Sequence, residues 1–141
     1  MLAVNKPTIG PMSEANLSKV REVEKFLLDK PQIEIKTSHE FHAGLYSRSI
    51  MIPAGVLITG ALIKIETLLI LSGDATIVIN GVSSRISGYG VIPASAGRKQ
   101  IFMAHEDTYL TMVFKTSART IEEAEAEFTD EADMLGSRRE Q

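Results

Sequence analysis

Glu66 lies in the run Leu62-Ile63-Lys64-Ile65-Glu66-Thr67-Leu68-Leu69-Ile70. A carboxylate among so many aliphatic side chains is costly to bury unpaired, so it needs a cation, a hydrogen bond or water. Lys64, two residues away and on the same face of an extended chain, is one candidate partner; Arg48 and Lys99, from other segments, are two more. Two readings stay open. Glu66 orients a ligand or acts as a general base in a barrel mouth, or it closes a structural ion pair. Tyr46 and Arg48 are also two apart and share a strand face. Arg48 can grip a carboxylate or phosphate through two parallel N–H bonds, with Tyr46 adding a hydroxyl; the plain alternative is an exposed strand face. Gly97-Arg98-Lys99 has the residue types of a phosphate-gripping turn but is too short to be diagnostic.

The three histidines make a weak set. His39 and His42 are three apart, which in an extended segment means opposite faces, so they do not chelate together. His105, in Ala104-His105-Glu106-Asp107, falls between two strands and is expected at a hairpin tip. A surface or hydrogen-bonded structural role is expected for each.

Several chemistries are excluded. The chain of 141 residues contains no cysteine, which removes thiolate nucleophiles, disulfides, Fe–S clusters and Cys-type zinc sites. There is no Walker loop, dinucleotide fingerprint, Gly-x-Ser-x-Gly elbow or paired-His metalloprotease motif. A net charge of −3, no tryptophan and three tyrosines argue against a nucleic-acid partner. No apolar run approaches the roughly 20 residues of a membrane span. The first ten residues, with Asn5, Lys6 and Pro7, lack the apolar stretch of a signal peptide. A soluble, cytoplasmic protein without a membrane partner is expected.

The elements that must position these side chains fall into five regions. Residues 1–12, punctuated by Pro7, Gly10 and Pro11, read as a leader arm with a frayed end. Residues 13–30 read as a helix: Ser13 caps it, Leu17, Val20, Val23, Phe26 and Leu27 form one apolar stripe, and Pro31 stops it. Residues 33–115 carry short β-branched runs at 33–36, 45–52, 56–65, 68–71, 75–79, 82–86, 90–92, 99–104 and 108–114. Asn80-Gly81 predicts a two-residue type I′ hairpin, and Pro53-Ala54-Gly55, Ser72-Gly73-Asp74 and Gly88-Tyr89-Gly90 predict further turns. Strands so close, with no helix between them, predict an antiparallel sandwich or barrel. Residues 116–136 read as an acidic helix opened by the capping box Thr120-Ile121-Glu122-Glu123, with stripe Ile121, Ala124, Phe128, Ala132 and Leu135 and a stop at Gly136. Its run of Glu and Asp is expected to be a solvated face. Residues 137–141 read as a disordered tail.

A Pro-x-Gly turn at Pro53-Ala54-Gly55, a strand, Glu66, an apolar strand, Gly73, then Gly88-Tyr89-Gly90-Val91-Ile92-Pro93 and Ala96-Gly97-Arg98-Lys99-Gln100 occur in that order. This arrangement resembles the cupin superfamily of small double-stranded β-helix barrels, over roughly residues 41–114. With His42-Ala43-Gly44-Leu45-Tyr46-Ser47-Arg48 and Glu106-Asp107-Thr108, the chain looks most like small cupin-like proteins of tailed bacteriophages. The resemblance implies a mainly β fold, a single cupin-like antiparallel barrel or jelly roll flanked by two helices. It also implies an inward-facing set of two or three histidines and a glutamate for iron, manganese or zinc. Only Glu66 matches. Counting back, the histidine positions hold Thr59 and Ala61, or Gly60 and Leu62. In the phage-like pattern they hold Ile63 and Thr67, and the late histidine is replaced by Gln100.

The expectation is therefore a barrel without metal or other cofactor. Three function classes stay open. One is a non-catalytic module that binds a small molecule in the barrel mouth or acts through protein contacts. Another is a virion structural or assembly protein using the barrel as scaffold, in contact with virion or host proteins. The third is a cupin-type enzyme with a site rebuilt around Glu66, Lys64, Tyr46 and Arg48. Exposed edge strands and the habit of small cupins to pair barrels add an expected homo-oligomer. The ligand-binding candidates are Glu66, Lys64, Tyr46, Arg48 and Gln100.

Overall fold

The computed structural model describes residues 9–135. Most of the expected leader, residues 1–8, and the expected tail at 137–141 lie outside the described residues. The described residues form seven antiparallel strands: β1 (Thr37–His42), β2 (Leu45–Ile52), β3 (Leu57–Thr59), β4 (Thr67–Ile79), β5 (Val82–Ala94), β6 (Ile101–Ala104) and β7 (Thr108–Lys115). Their order in one curled sheet is β1-β2-β7-β4-β6-β3, with β5 also on β4. Alternation of side chains puts Tyr46, Leu69, Leu71, Ile77, Ile92, Phe102, Leu110 and Phe114 on the buried concave face.

The curl comes from β4. Its first half pairs with β7, from Leu68↔Val113 to Ser72↔Tyr109. Its second half pairs with β6, from Ala75↔Ala104 to Val78↔Ile101. The change of neighbour falls at Gly73, which has φ +145°. A Cβ there would sit 2.5 Å from Thr108 Oγ1 and 2.7 Å from Thr108 Cα, so the crossing strand passes where a side chain would be. Gly73 faces Gly88 across the β4–β5 ladder. The expected turns at Ser72-Gly73-Asp74 and Gly88-Tyr89-Gly90 are thus the two sides of one crease in a long hairpin, and four expected short strands are two long ones. The Asn80-Gly81 turn is as expected: φ is +49° and +81°, and Ile79 pairs with Val82.

Further strand boundaries differ, among them the expected strand at 99–104, which is regular only over β6. The expected strand at 33–36 is not one; the edge strand is β1, whose Ser38, Glu40 and His42 face solvent and dilute its apolar signal. The expected strand at 56–65 is a regular strand only over β3; beyond it Gly60 N–H still donates to Gln100 O and Ile63 bridges Arg98 in antiparallel fashion, but Leu62 N–H goes to Glu131 Oε2 and Lys64 N–H to Phe128 O.

Helix α1 (Glu14–Leu28) has the expected cap, with Ser13 Oγ accepting from Asn16 N–H. Only Val20 of its stripe is buried, and Phe26 is exposed beneath the Lys30 ammonium. Its start is fixed to the hairpin tip, where Asn80 Oδ1 accepts from Ser13 N–H at 3.0 Å and Asn16 Nδ2 at 2.8 Å. The end of the expected leader is not frayed at Ile9, which is buried and bridges Ala94 in parallel.

Helix α2 (Ile121–Phe128) stops well short of the expected end at 136, and Gly136 lies outside the described residues. Thr129 turns extended, and Asp130 and Glu131 are drawn to Lys64 and Lys99. A short 3-10 turn, Ala132–Met134, follows. The acidic run is not all solvated, since Glu125 is buried.

Candidate functional site

The concave face of the sheet does not fill completely. A cavity of about 690 Å³ lies between Leu69, Phe102, Leu110 and Met112 on one side and the end of α1 with residues 30–35 on the other. That volume is typical of a site for a small organic molecule. The rim segment runs without regular structure because Pro31 ends helical continuation. Gln32 Nε2 donates to the Leu27 and Lys30 carbonyls at the helix end, fixing where the rim begins.

Just over half of the lining is aliphatic; charged groups enter it at the rim, with exposed Lys30 and Glu34 and half-buried Glu24, and from the sheet, with Arg48 and Arg98. Arg48 on β2 reaches the cavity wall, where its Nη1 donates to Glu125 Oε2 of α2 at 3.1 Å. The guanidinium also lies over the Phe128 ring. Arg98 and Gln100 line the cavity from the segment before β6, while Lys99 between them faces away. This is strand-like alternation entered through Gly97, whose φ is +79°.

Arg98 is 1% exposed and Gln100 5%. Arg98 Nη1 donates to Ser95 O at 2.6 Å and Ile65 O at 3.3 Å, and Nη2 donates to Thr67 Oγ1. Arg98 Nε and Gln100 Nε2 have no partner. Among the described residues no carboxylate pairs with Arg98. Burial alone pushes its guanidinium down to about 10.

The other sequence candidates lie elsewhere. Tyr46 is a core residue: its ring packs on Phe41, Phe114 and His39, and its hydroxyl meets His39 Nδ1 at 2.7 Å. Burial raises the Tyr46 phenol, against the Arg48 guanidinium and its hydrogen bond, which lower it. Burial lowers the His39 imidazole, and the Arg48 charge adds to that. His39 and His42 take opposite faces of β1 and His105 sits in the β6–β7 connection, as expected. His105 Nε2 meets Thr76 Oγ1 at 2.6 Å.

Glu66 differs from its expected setting. It is exposed just before β4, because Thr67 and Leu69 take the inward positions and Glu66 shares the outward parity of Leu68. The cations considered for it have other partners. Lys64 pairs with Asp130 at 2.7 Å, Arg48 with Glu125, and Lys99 with Glu24 and Glu131 at 2.8 Å each. Of the five candidates the structure brings Arg48 and Gln100 to the cavity. Arg98 was missing from that set, although Gly97-Arg98-Lys99-Gln100 carried the signal: a glycine turn, then two polar residues of one parity.

No family model and no curated protein matches the sequence. Solved structures do. KdgF from Halomonas sp. aligns with a TM-score of 0.52 at 14% identity, covering 67% of this chain and 87% of that one. A protein from Neisseria meningitidis aligns with a TM-score of 0.51 at 10% identity, covering 66% and 96%. A Cupin 2 conserved barrel domain protein from Salinispora arenicola gives 0.49 at 13% identity, covering 62% and 81%. At such identities the likeness concerns the fold alone, and the chain has a mainly β, cupin-like fold: a curled antiparallel half-barrel with an N-terminal and a C-terminal helix.

Proposed function

We propose that this protein is a non-catalytic module that holds a small organic molecule inside its barrel. The carrying observation is the 690 Å³ cavity, lined mainly by aliphatic side chains and bordered by a few buried polar ones. The metal ions that the cupin resemblance implies do not fit this lining. Among the described residues no three His, Cys, Asp or Glu side chains cluster to hold one. Where a metal needs lone-pair donors, the wall presents the Arg98 cation beside Gln100.

A neutral fluorescent dye, Nile red, tests the reading. Saturable one-to-one binding is expected, and it should vanish in Ala61→Trp, which fills the lining from the segment after β3. No saturable binding by the parent protein would sink the proposal.

A second reading, action through protein contacts, is favoured by the convex face of the sheet. Leu68, Val91, Tyr89 and Tyr109 are exposed there. We read this face as the contact between two copies of the chain.

A further inference from the structure

We propose that the cavity takes an organic anion, a carboxylate on a hydrophobic body, with its head group against Arg98 and Gln100. This deepens the small-molecule reading and rests on it. A charged guanidinium that is 1% exposed is expensive to bury without a counter-charge. Arg98 is held by two backbone carbonyls and the Thr67 hydroxyl, all neutral acceptors, which fix its orientation without cancelling its charge. One donor, Nε, is left over. Gln100, two residues on and of the same parity, leaves Nε2 over as well. Two unsatisfied buried donors beside an empty volume match the acceptor oxygens of a carboxylate.

The neighbourhood reinforces the choice of sign. Met112 is the cross-strand partner of Arg48, and its Sδ lies 4.0 Å from Arg98 Nη2, so both guanidiniums border one patch. Arg48 is already matched by Glu125, which leaves Arg98 as the centre of the positive field. Burial holds the Arg98 guanidinium at about 10, so it stays cationic at neutral pH. Beyond the head group, Leu69, Phe102, Leu110 and Ile58 of the lining suit an alkyl or aryl body; the lining's own carboxylates come from α1 and the rim segment, Glu24, which is paired with Lys99, and Glu34, which is exposed. A compact, fully hydrated anion such as inorganic phosphate would leave that apolar volume unused.

Decanoate and 1-decanol, compared by calorimetry below their aggregation concentrations, test the inference. Decanoate should bind about tenfold or more tightly than the alcohol, since the difference is one charge-assisted contact. Arg98→Met should erase the preference. Gln100→Leu should reduce it while leaving the melting temperature unchanged or higher, because it removes only a donor that has no partner. It therefore serves even where Arg98→Met fails to fold. Equal binding of acid and alcohol overturns the anion assignment and leaves the cavity reading standing. A preference that survives Gln100→Leu at full strength, and Arg98→Met where it folds, also overturns it, since the head group is then held elsewhere. Binding of neither probe, with Nile red also excluded, removes the small-molecule reading itself.

Discussion

Lys99 is fully buried and sits between two carboxylates from different parts of the chain, Glu24 of α1 and Glu131 after α2. Glu131 also takes Arg21 at 2.9 Å and the Leu62 amide. Burial alone would raise the Glu131 carboxyl. The Lys99 hydrogen bond, the Leu62 amide and the Lys99 and Arg21 charges together hold it below its ordinary 4.5. A carboxyl depressed on folding stabilises the fold fully above the unfolded value, and that contribution is lost as pH falls through the folded one. Glu131→Gln should therefore cost about 2 kcal/mol at neutral pH. The gap between variant and parent urea midpoints should close as pH drops below about 4.5; parallel curves down to pH 3 would refute the assignment. His39 obeys the same rule for a base: burial lowers it, so its titration by NMR should fall below 6.5. The stability it contributes is present above 6.5 and lost as pH falls through the folded value. Single residues were also where the site was hardest to read. Arg48 was visible through its strand parity with Tyr46, and Gln100 only through the family resemblance, as the position of the late histidine. Glu66 misled because apolar neighbours on both sides say that a segment packs, but not which parity faces in.

At the scale of elements the crease decides the barrel. Gly73→Ala should destabilise severely, by roughly 3 kcal/mol or more, because its Cβ would meet the Thr108 backbone at 2.7 Å and the Asp107 carbonyl at 2.9 Å. A urea midpoint within error of the parent would mean that β7 can shift away. Gly81→Val should cost about 1–3 kcal/mol, since a β-branched residue resists its φ of +81°. There the added Cβ meets Asn16 Oδ1 at 3.1 Å, so the variant should also loosen α1, seen as faster amide exchange in its first turn. These two glycines mark how far the sequence could be read. Asn-Gly between apolar runs is a local signal and told the truth. Ser72-Gly73-Asp74 has the same composition as a turn, yet its glycine answers to Thr108, which is 35 residues away and cannot be seen locally. The same holds for α2, whose helical pattern continues past Phe128 while the ion pairs of Asp130 and Glu131 end it.

For the whole molecule the convex face of the sheet makes the remaining prediction. The register aligns Tyr89, Ser72 and Tyr109 in one row, Val91, Ile70 and Thr111 in the next, and Pro93, Leu68 and Val113 in a third. All nine are uncharged, and Tyr89 is 72% and Tyr109 59% exposed. A contiguous apolar patch on a sheet marks an interaction surface. Its lack of charge favours a second copy as the occupant: a two-fold contact sets each residue near its own equivalent, and a charge there would face its like. Cavity and convex face lie on opposite sides of the sheet, so pairing leaves the rim at residues 30–35 open to ligand. Light scattering at tens of micromolar should give twice the single-chain mass. Val91→Glu combined with Tyr109→Glu should return it to one chain, because both positions are exposed and neither lines the cavity. The double variant should still bind Nile red with unchanged affinity, which separates loss of pairing from loss of fold. A parent protein that runs as a single chain at that concentration would falsify the pairing of this face.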